Sequence, residues 1–150
     1  MTEFNEISLF DSNILIYAFA INEKEKNTIA KRLLDKVINN ELQICLSTQN
    51  ISEFYYGITK KIEKPIDVEI AREIVKELIS LTNIKIFKII ESTIINAIDV
   101  SIKFKLSFWD SLIVAVMEEN NIREIITENE KDFKKIPLLN IFNPFKNKSR

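Results

Sequence analysis

Asp11, Glu53, Asp110 and the turn Thr127-Glu128-Asn129-Glu130-Lys131-Asp132-Phe133 put acidic or amide side chains at the ends of apolar runs and the starts of helical patterns. If the strands before them are parallel, their carboxyl ends share one sheet edge. Open α/β folds place their ligand crevice there, so these groups would converge. Carboxylates brought together repel one another unless a cation lies between them, and convergence itself therefore predicts a metal. An oxygen-only donor set suits Mg²⁺ or Mn²⁺, not zinc. A hard cation held in this way lowers the pKa of a bound water and neutralises charge on a phosphate, which is the chemistry of metal-assisted hydrolysis.

Each group also has a purely local role open to it. Asp11 can cap the helix that follows it, as Asp commonly does. Ser107-Phe108-Trp109-Asp110 resembles a capping box with Asp in place of Glu. Asp110 nevertheless falls at the edge of an apolar stripe, beside Ile113 and Met117, where an unpaired charge is expensive. Glu53 projects opposite the stripe of its own helix, the usual place for a solvated glutamate. Asn129 and Asp132 are residue types that populate turns for local hydrogen bonding. Thr127 is either a strand residue or a site hydroxyl. Lys131, Lys134 and Lys135 are ordinary surface residues by type, although they flank the proposed edge.

The elements that must position these groups follow from periodicity and turn signals. Strands are predicted over residues 7–10, 42–46, 84–87, 124–127 and 139–142. Helices are predicted over 13–19, 23–39, from Ser47 or Thr48 onward, after Pro65 taken as a first-turn proline, over 92–103, and from Ser107 onward. Their inward stripes are Ile29, Leu33, Leu34, Val37 and Ile38, then Ile51, Phe54, Tyr55 and Ile58. The later ones are Ala71, Ile74, Val75 and Leu78, then Trp109, Leu112, Ile113, Val116 and Met117. Strands separated by helices imply crossover connections, a parallel sheet and one α/β sandwich. There are no internal repeats, no low-complexity segments and no dividing linker.

Composition narrows the chemistry. The chain has no histidine, which excludes Ser-His-Asp triads and His-ligated zinc or iron. Its single glycine, Gly57, excludes Walker-type and Rossmann-type phosphate loops. The lone Cys45 excludes an internal disulfide and fits a reducing cytoplasm. The longest apolar run, residues 14–21, is too short to span a bilayer, and residues 1–6 carry no basic n-region, so neither a membrane span nor a signal peptide is expected. The net charge of −1 weighs mildly against a broad nucleic-acid surface, although an acidic cluster would mask a basic one in that sum.

Taken together, four segments and a final strand resemble the PIN-domain family, and within it the VapC-type ribonuclease toxins of toxin–antitoxin pairs. Phe10-Asp11-Ser12-Asn13-Ile14-Leu15-Ile16-Tyr17-Ala18 is similar to the family's opening strand and first acid. Ser47-Thr48-Gln49-Asn50-Ile51-Ser52-Glu53-Phe54-Tyr55 is similar to the segment carrying the second. Leu106-Ser107-Phe108-Trp109-Asp110-Ser111-Leu112-Ile113-Val114-Ala115 is the most specific match and carries the third. Ile125-Ile126-Thr127-Glu128-Asn129 with Asp132-Phe133 resembles the closing motif, and Ile141-Phe142-Asn143-Pro144-Phe145 the final strand.

The resemblance implies a single PIN-like three-layer sandwich over residues 1–145, with a central, mainly parallel sheet of about five strands flanked by helices, and a basic tail over 146–150. It implies a Mg²⁺- or Mn²⁺-dependent endoribonuclease with Asp11 and Asp110 as principal metal ligands and Glu53 assisting through metal or water. Asn13 and Thr127 would be polar supports. At the fourth position many relatives carry an acid two residues after the threonine. Here that residue is Asn129, so either its amide oxygen or Asp132 would take the place, and a second metal is in doubt. Lys131, Lys134 and Lys135 would hold backbone phosphates. The implied partners are an RNA substrate (transfer, ribosomal or messenger), a small antitoxin and a second copy of the chain, paired through apolar helices such as residues 69–81. Two other α/β readings fail on single residues. A haloacid-dehalogenase phosphatase needs an acid where Asn13 stands, and a response-regulator receiver needs an acidic pair that Phe10 and Ser12 do not supply. A non-catalytic PIN-like module that binds RNA or protein would be favoured only by loss of Asp11, Glu53 or Asp110.

Overall fold

The computed structural model describes residues 7–146. Five short strands form one fully parallel sheet: β1 (Ser8–Phe10), β2 (Ile44–Ser47), β3 (Ile84–Phe87), β4 (Glu124–Ile126) and β5 (Asn140–Phe142). Their order is β3-β2-β1-β4-β5. The chain therefore winds outward from β1 through β2 to β3, then returns to the other side of β1 for β4 and β5. The order reverses between β1 and β4, and a crevice opens at their carboxyl ends.

The central strands are buried on both faces, as a parallel sheet covered by crossover helices requires. Phe10, Ile44, Leu46, Ile84 and Ile126 point to one face. They pack there with Ile14 and Leu15 of α1 (Ser12–Tyr17), Leu33 and Val37 of α2 (Lys24–Ile38), Phe54 of α3 (Thr48–Tyr56) and Ala71 and Leu78 of α4 (Val68–Ser80). Leu9, Cys45 and Ile125 point to the other. They meet Val100 of α5 (Glu91–Phe104), Ile113, Val114 and Met117 of α6 (Phe108–Glu119) and Phe133 of α7 (Glu130–Phe133). Cys45 is sealed in this layer, and burial pushes its thiol up to about 12, so it is a packing residue. The three-layer architecture expected from the sequence is the one observed.

Five details depart from the expectation. Ile38, read as inward, is the last residue of α2 and is exposed. Pro65 does not open α4. It lies in an irregular link, where Ile66 N donates to Ile58 O at 2.9 Å, and the helix starts only after Asp67. Tyr55 is not inward but lines a surface recess with Val68 and Val75. Trp109 is not core. It sits in the first turn of α6, where the apolar stripe runs past the end of the sheet, and it is 64% exposed. The stretch 130–133, read as turn, is a short helix that buries Phe133. Of the basic tail, Lys146 pairs with Glu130 at 3.0 Å, and the remainder lies outside the described residues.

The single glycine has a steric reason. α3 continues into a π-helical turn, Gly57–Lys61, and a Cβ at Gly57 would run into the Ile16 side chain of α1. Gly57 has ordinary right-handed helical angles, so alanine would gain about 1 kcal/mol in helix propensity while overpacking costs about 1–3 kcal/mol. Gly57→Ala is expected to lower the melting temperature. Adding Ile16→Val removes the δ-methyl but leaves a γ carbon that the new Cβ also meets, so a double-mutant cycle is expected to recover part of the loss.

Candidate active site

Register places the first acid. β1 and β4 pair Phe10 with Ile126, so the next residues, Asp11 and Thr127, leave the sheet side by side. Asp11 N donates to Ile126 O at 3.0 Å, and Thr127 Oγ1 donates to Asp11 Oδ2 at 2.7 Å. Asp11 starts α1 but makes no side-chain cap bond, so the local capping role is not the one its carboxylate takes. Thr127 Oγ1 in turn accepts from Asn129 N at 2.9 Å, which fixes the loop after β4. That loop is held from the outside as well. Glu128 accepts from Tyr17 Oη at 2.9 Å and pairs with Lys26 at 2.5 Å, and Glu130 accepts from Asn143 Nδ2 at 3.1 Å.

Helix starts place the other two acids. Ser47 caps α3 through a reciprocal box with Asn50, Ser47 Oγ accepting from Asn50 N at 3.1 Å and Asn50 Oδ1 from Ser47 N at 2.9 Å. This directs Glu53 over the crevice, where Ser12 Oγ donates to its Oε1 at 3.4 Å. Ser107 Oγ accepts from Asp110 N at 3.2 Å and caps α6. Asp110 is thus both a first-turn residue and a cleft residue, and Asn129 Nδ2 donates to its Oδ2 at 3.5 Å.

Asp11, Glu53 and Asp110 line one cleft of about 410 Å³, with Asn13 and Asn129 on its wall. Its other lining residues include Ser12, Ile16, Gln49, Tyr56, Lys61, Trp109 and Ile113. Thr127 lies beneath, fully buried against Asp11. Asp132 is outside the lining and acts on Asp110 only through its charge. Lys131, Lys134 and Lys135 do not reach the cleft. α7 turns Phe133 inward and these lysines outward, and Lys135 Nζ donates to Lys105 O at 3.2 Å.

All three acids hold their protons more strongly than usual. Burial is the main cause for each. The charge of Asp110 adds to it at Asp11, that of Asp11 at Glu53 and that of Asp132 at Asp110. The Thr127, Ser12 and Ser107 hydrogen bonds oppose the rise, as does Lys61 at Glu53. The cleft is therefore short of positive charge, with Lys61 as its only lysine or arginine among the described lining residues. No three His, Cys, Asp or Glu side chains among the described residues lie close enough to form a metal cage unaided. Mg²⁺ needs no such cage, because it takes one or two carboxylates and fills its remaining positions with water and substrate phosphate. Asp11 and Asp110, mutually repelling oxygen donors, fit that pattern, and Gln49 Oε1 is a buried acceptor at the same cleft with no protein donor.

The PIN-domain family model matches residues 8–139. This chain belongs to the PIN-domain family. Solved structures of similar fold include VapBC2 from Rickettsia felis bound to a promoter DNA fragment, at 22% identity and TM-score 0.63, covering 91% of this chain and 98% of that one. A toxin–antitoxin complex from Klebsiella pneumoniae matches at 24% identity and TM-score 0.63, covering 91% and 97%. VapC20 from Mycobacterium tuberculosis, described as a sarcin–ricin-loop-cleaving toxin, matches at 12% identity and TM-score 0.65, covering 84% and 92%. A search of curated proteins finds no match.

Several PIN-domain cleft residues were missed by sequence reasoning. Ser12 and Gln49 carried no signal beyond their neighbourhood to the acids. Lys61 was hidden by geometry: on an ideal helix Lys60, seven residues after Glu53, would share its face, but the π-helical turn inserts one residue and brings Lys61 there instead.

The raised Asp11 pKa has a stability consequence whose sign is fixed. A carboxyl that binds its proton more tightly when folded contributes most below the ordinary carboxylate range, and the contribution is lost as pH rises through the folded-state pKa. Asp11→Asn, whose amide oxygen can still accept from Thr127, removes that loss. In EDTA at pH 7 the variant is expected to melt above the wild type, by about 2–4 °C per kcal/mol recovered in a domain of this size. The gap should narrow at pH 4. A variant that melts lower at pH 7 would contradict a charge-burial cost at Asp11.

Proposed function

We propose that this PIN domain is a Mg²⁺- or Mn²⁺-dependent endoribonuclease and the toxin of a VapBC-type toxin–antitoxin pair, acting in the cytoplasm. The observation that carries the reading is the meeting of Asp11, Glu53 and Asp110 in one cleft at the point where strand order reverses. Asp11 and Asp110 would hold the cation. When bound, it would neutralise charge on the scissile phosphate and acidify the attacking water. Thr127 keeps the Asp11 carboxylate in one orientation, the part that outer hydrogen-bond partners play around metal ligands. Glu53, with its raised proton affinity, suits the acceptance of a proton from that water, since the chain has no histidine to serve as base. Asn129 supports Asp110 through its amide. Lys61, a cleft-lining residue, would meet a backbone phosphate, the part that the sequence suggests for Lys131, Lys134 and Lys135. With water as nucleophile the 2′-OH need not attack, the 3′-oxygen would be the leaving group, and a 5′-phosphate product is expected.

The likeness to toxin–antitoxin structures supports a small antitoxin as partner, and a second copy of the chain is proposed beside it. α5 supports a protein contact. It buries Thr93, Ala97 and Val100 on one side, yet it exposes Ile94, Ile95, Ile98 and Ile102 elsewhere around the helix. α4, the helix first favoured, exposes Ile70 and Ile79. No helix among the described residues is long and apolar enough to cross a membrane. The buried Cys45 thiol fits a reducing compartment.

Purified protein is expected to cut RNA in Mg²⁺ or Mn²⁺ and to be inert in EDTA. The substrates to compare are total RNA, transfer RNA and ribosomal RNA, the last included because of the activity described for VapC20. Asp11→Asn and Asp110→Asn should each lose at least about 100-fold, more than the loss of an outer hydrogen-bond partner costs. Wild type and variants equally inert on every RNA class would overturn the nuclease reading and leave a binding module. Thr127→Val, which removes only the donor to Asp11, should weaken metal affinity or cleavage by about 10- to 100-fold, measured by cation titration of the rate.

A further inference from the structure

Trp109 and Tyr56 are large aromatic side chains that the fold leaves open to solvent, at 64% and 56% exposure, and both line the cleft that holds the three acids. Neither is there for want of a core. Leu112, Ile113, Val116 and Met117, on the same stripe of α6 as Trp109, are all buried. Trp109 is held without being covered. Gln49 Nε2 donates to its carbonyl at 3.2 Å, and Phe108 meets its ring edge-on with centroids 5.2 Å apart at 74°. Lys61 Nζ lies 5.7 Å from the centre of the Tyr56 ring and lines the same cleft.

The charge balance of the cleft gives these rings a task. Three carboxylates and one lysine repel a polyanion unless a cation is bound, and phosphate contacts alone are a poor source of affinity there. Aromatic faces supply affinity that does not depend on charge, because every unpaired base can stack on them. Bases within a duplex already have their faces occupied and cannot do so without being splayed out.

We propose that Trp109, with Tyr56 bordering the same cleft, forms a stacking subsite for unpaired nucleobases flanking the phosphodiester bound at the acidic centre. The inference rests on the cleft being an RNA site. The substrate it selects is single-stranded or looped RNA, held by base stacking beside the acids and by Lys61 on the backbone.

Trp109 is the only tryptophan in the chain, so intrinsic fluorescence reports on this residue alone. Wild-type protein in Ca²⁺ would be titrated with a short unstructured oligoribonucleotide carrying a terminal dye. Tryptophan emission and dye anisotropy would be followed together. Quenching is expected with the same midpoint as the anisotropy change. Trp109→Ala should weaken binding by about 5- to 150-fold, while Trp109→Phe should retain most of the affinity. An oligomer of abasic sugar-phosphates should bind wild type and Trp109→Ala alike.

Anisotropy that reports binding without quenching, with Trp109→Ala as tight as wild type, would overturn the stacking subsite. It would leave the nuclease reading intact and the exposed indole to a protein partner. Absence of RNA binding in both signals would overturn the RNA reading, and the subsite with it.

Discussion

The parallel pairing of β1 with β4 is the constraint on which the rest of the site depends. Phe10 and Ile126 are register partners, so Asp11 and Thr127 must emerge together, and the 2.7 Å hydrogen bond between them follows from the sheet. The same pairing sits where strand order reverses, so the helices that follow β1 and β4 diverge and leave a crevice over that bond. Glu53 and Asp110 are then brought in by two serine caps, Ser47 on α3 and Ser107 on α6. A one-residue register slip would turn Phe10 and Ile126 away from their core face as well as separate Asp11 from Thr127. Packing therefore protects the site geometry.

That protection is needed because the site works against the fold. Three carboxylates with raised proton affinity, a buried Gln49 acceptor without a donor and a solvent-facing tryptophan all oppose stability. They are tolerated because the sheet beneath them is sealed on both faces by separate apolar layers. The loop after β4 is also tied down at several points, through Glu128 to Tyr17 and Lys26 and through Glu130 to Asn143 and Lys146. Rigidity is concentrated next to the charges that would otherwise push the cleft open.

Most of the fold was legible because its elements obey simple periods. Strands buried on both faces read as continuous apolar runs, and helices read as apolar stripes, two of them opened by Ser47 and Ser107. Asp11, Glu53 and Asp110 were also legible, although only their order and context separated them from caps and solvated surface. What escaped had a physical reason each time. Pro65 looked like a helix opener because proline suits a first turn, but the backbone bond from Ile66 to Ile58 ties the segment to the end of the preceding helix, and α4 opens only after Asp67. Lys131, Lys134 and Lys135 were misplaced because a four-residue helix was read as a turn, and its buried Phe133 turns Lys131 and the two lysines that follow it outward.

Two of the remaining misses, unlike Tyr55 and Ile38, share a location with Tyr56. Trp109 was assigned to the core from an unbroken 3.6-residue stripe, and Lys61 was masked by an inserted π-helical turn. Tyr56 drew no notice at all. All three line the acidic cleft. Periodic reading assumes that a side chain serves packing and that a helix keeps one pitch; Trp109 breaks the first and Lys61 the second, while Tyr56 lies off the inward stripe of α3 and is exposed as that stripe implies. A sequence locally consistent with its fold nearly everywhere, yet inconsistent around one cleft, marks that cleft as the place where packing was subordinated to another requirement. The carboxylates alone could have been read as an electrostatic accident of strand ends. An exposed indole and a repositioned lysine beside them could not, because each departs from packing logic for a different mechanical reason and both line the cleft.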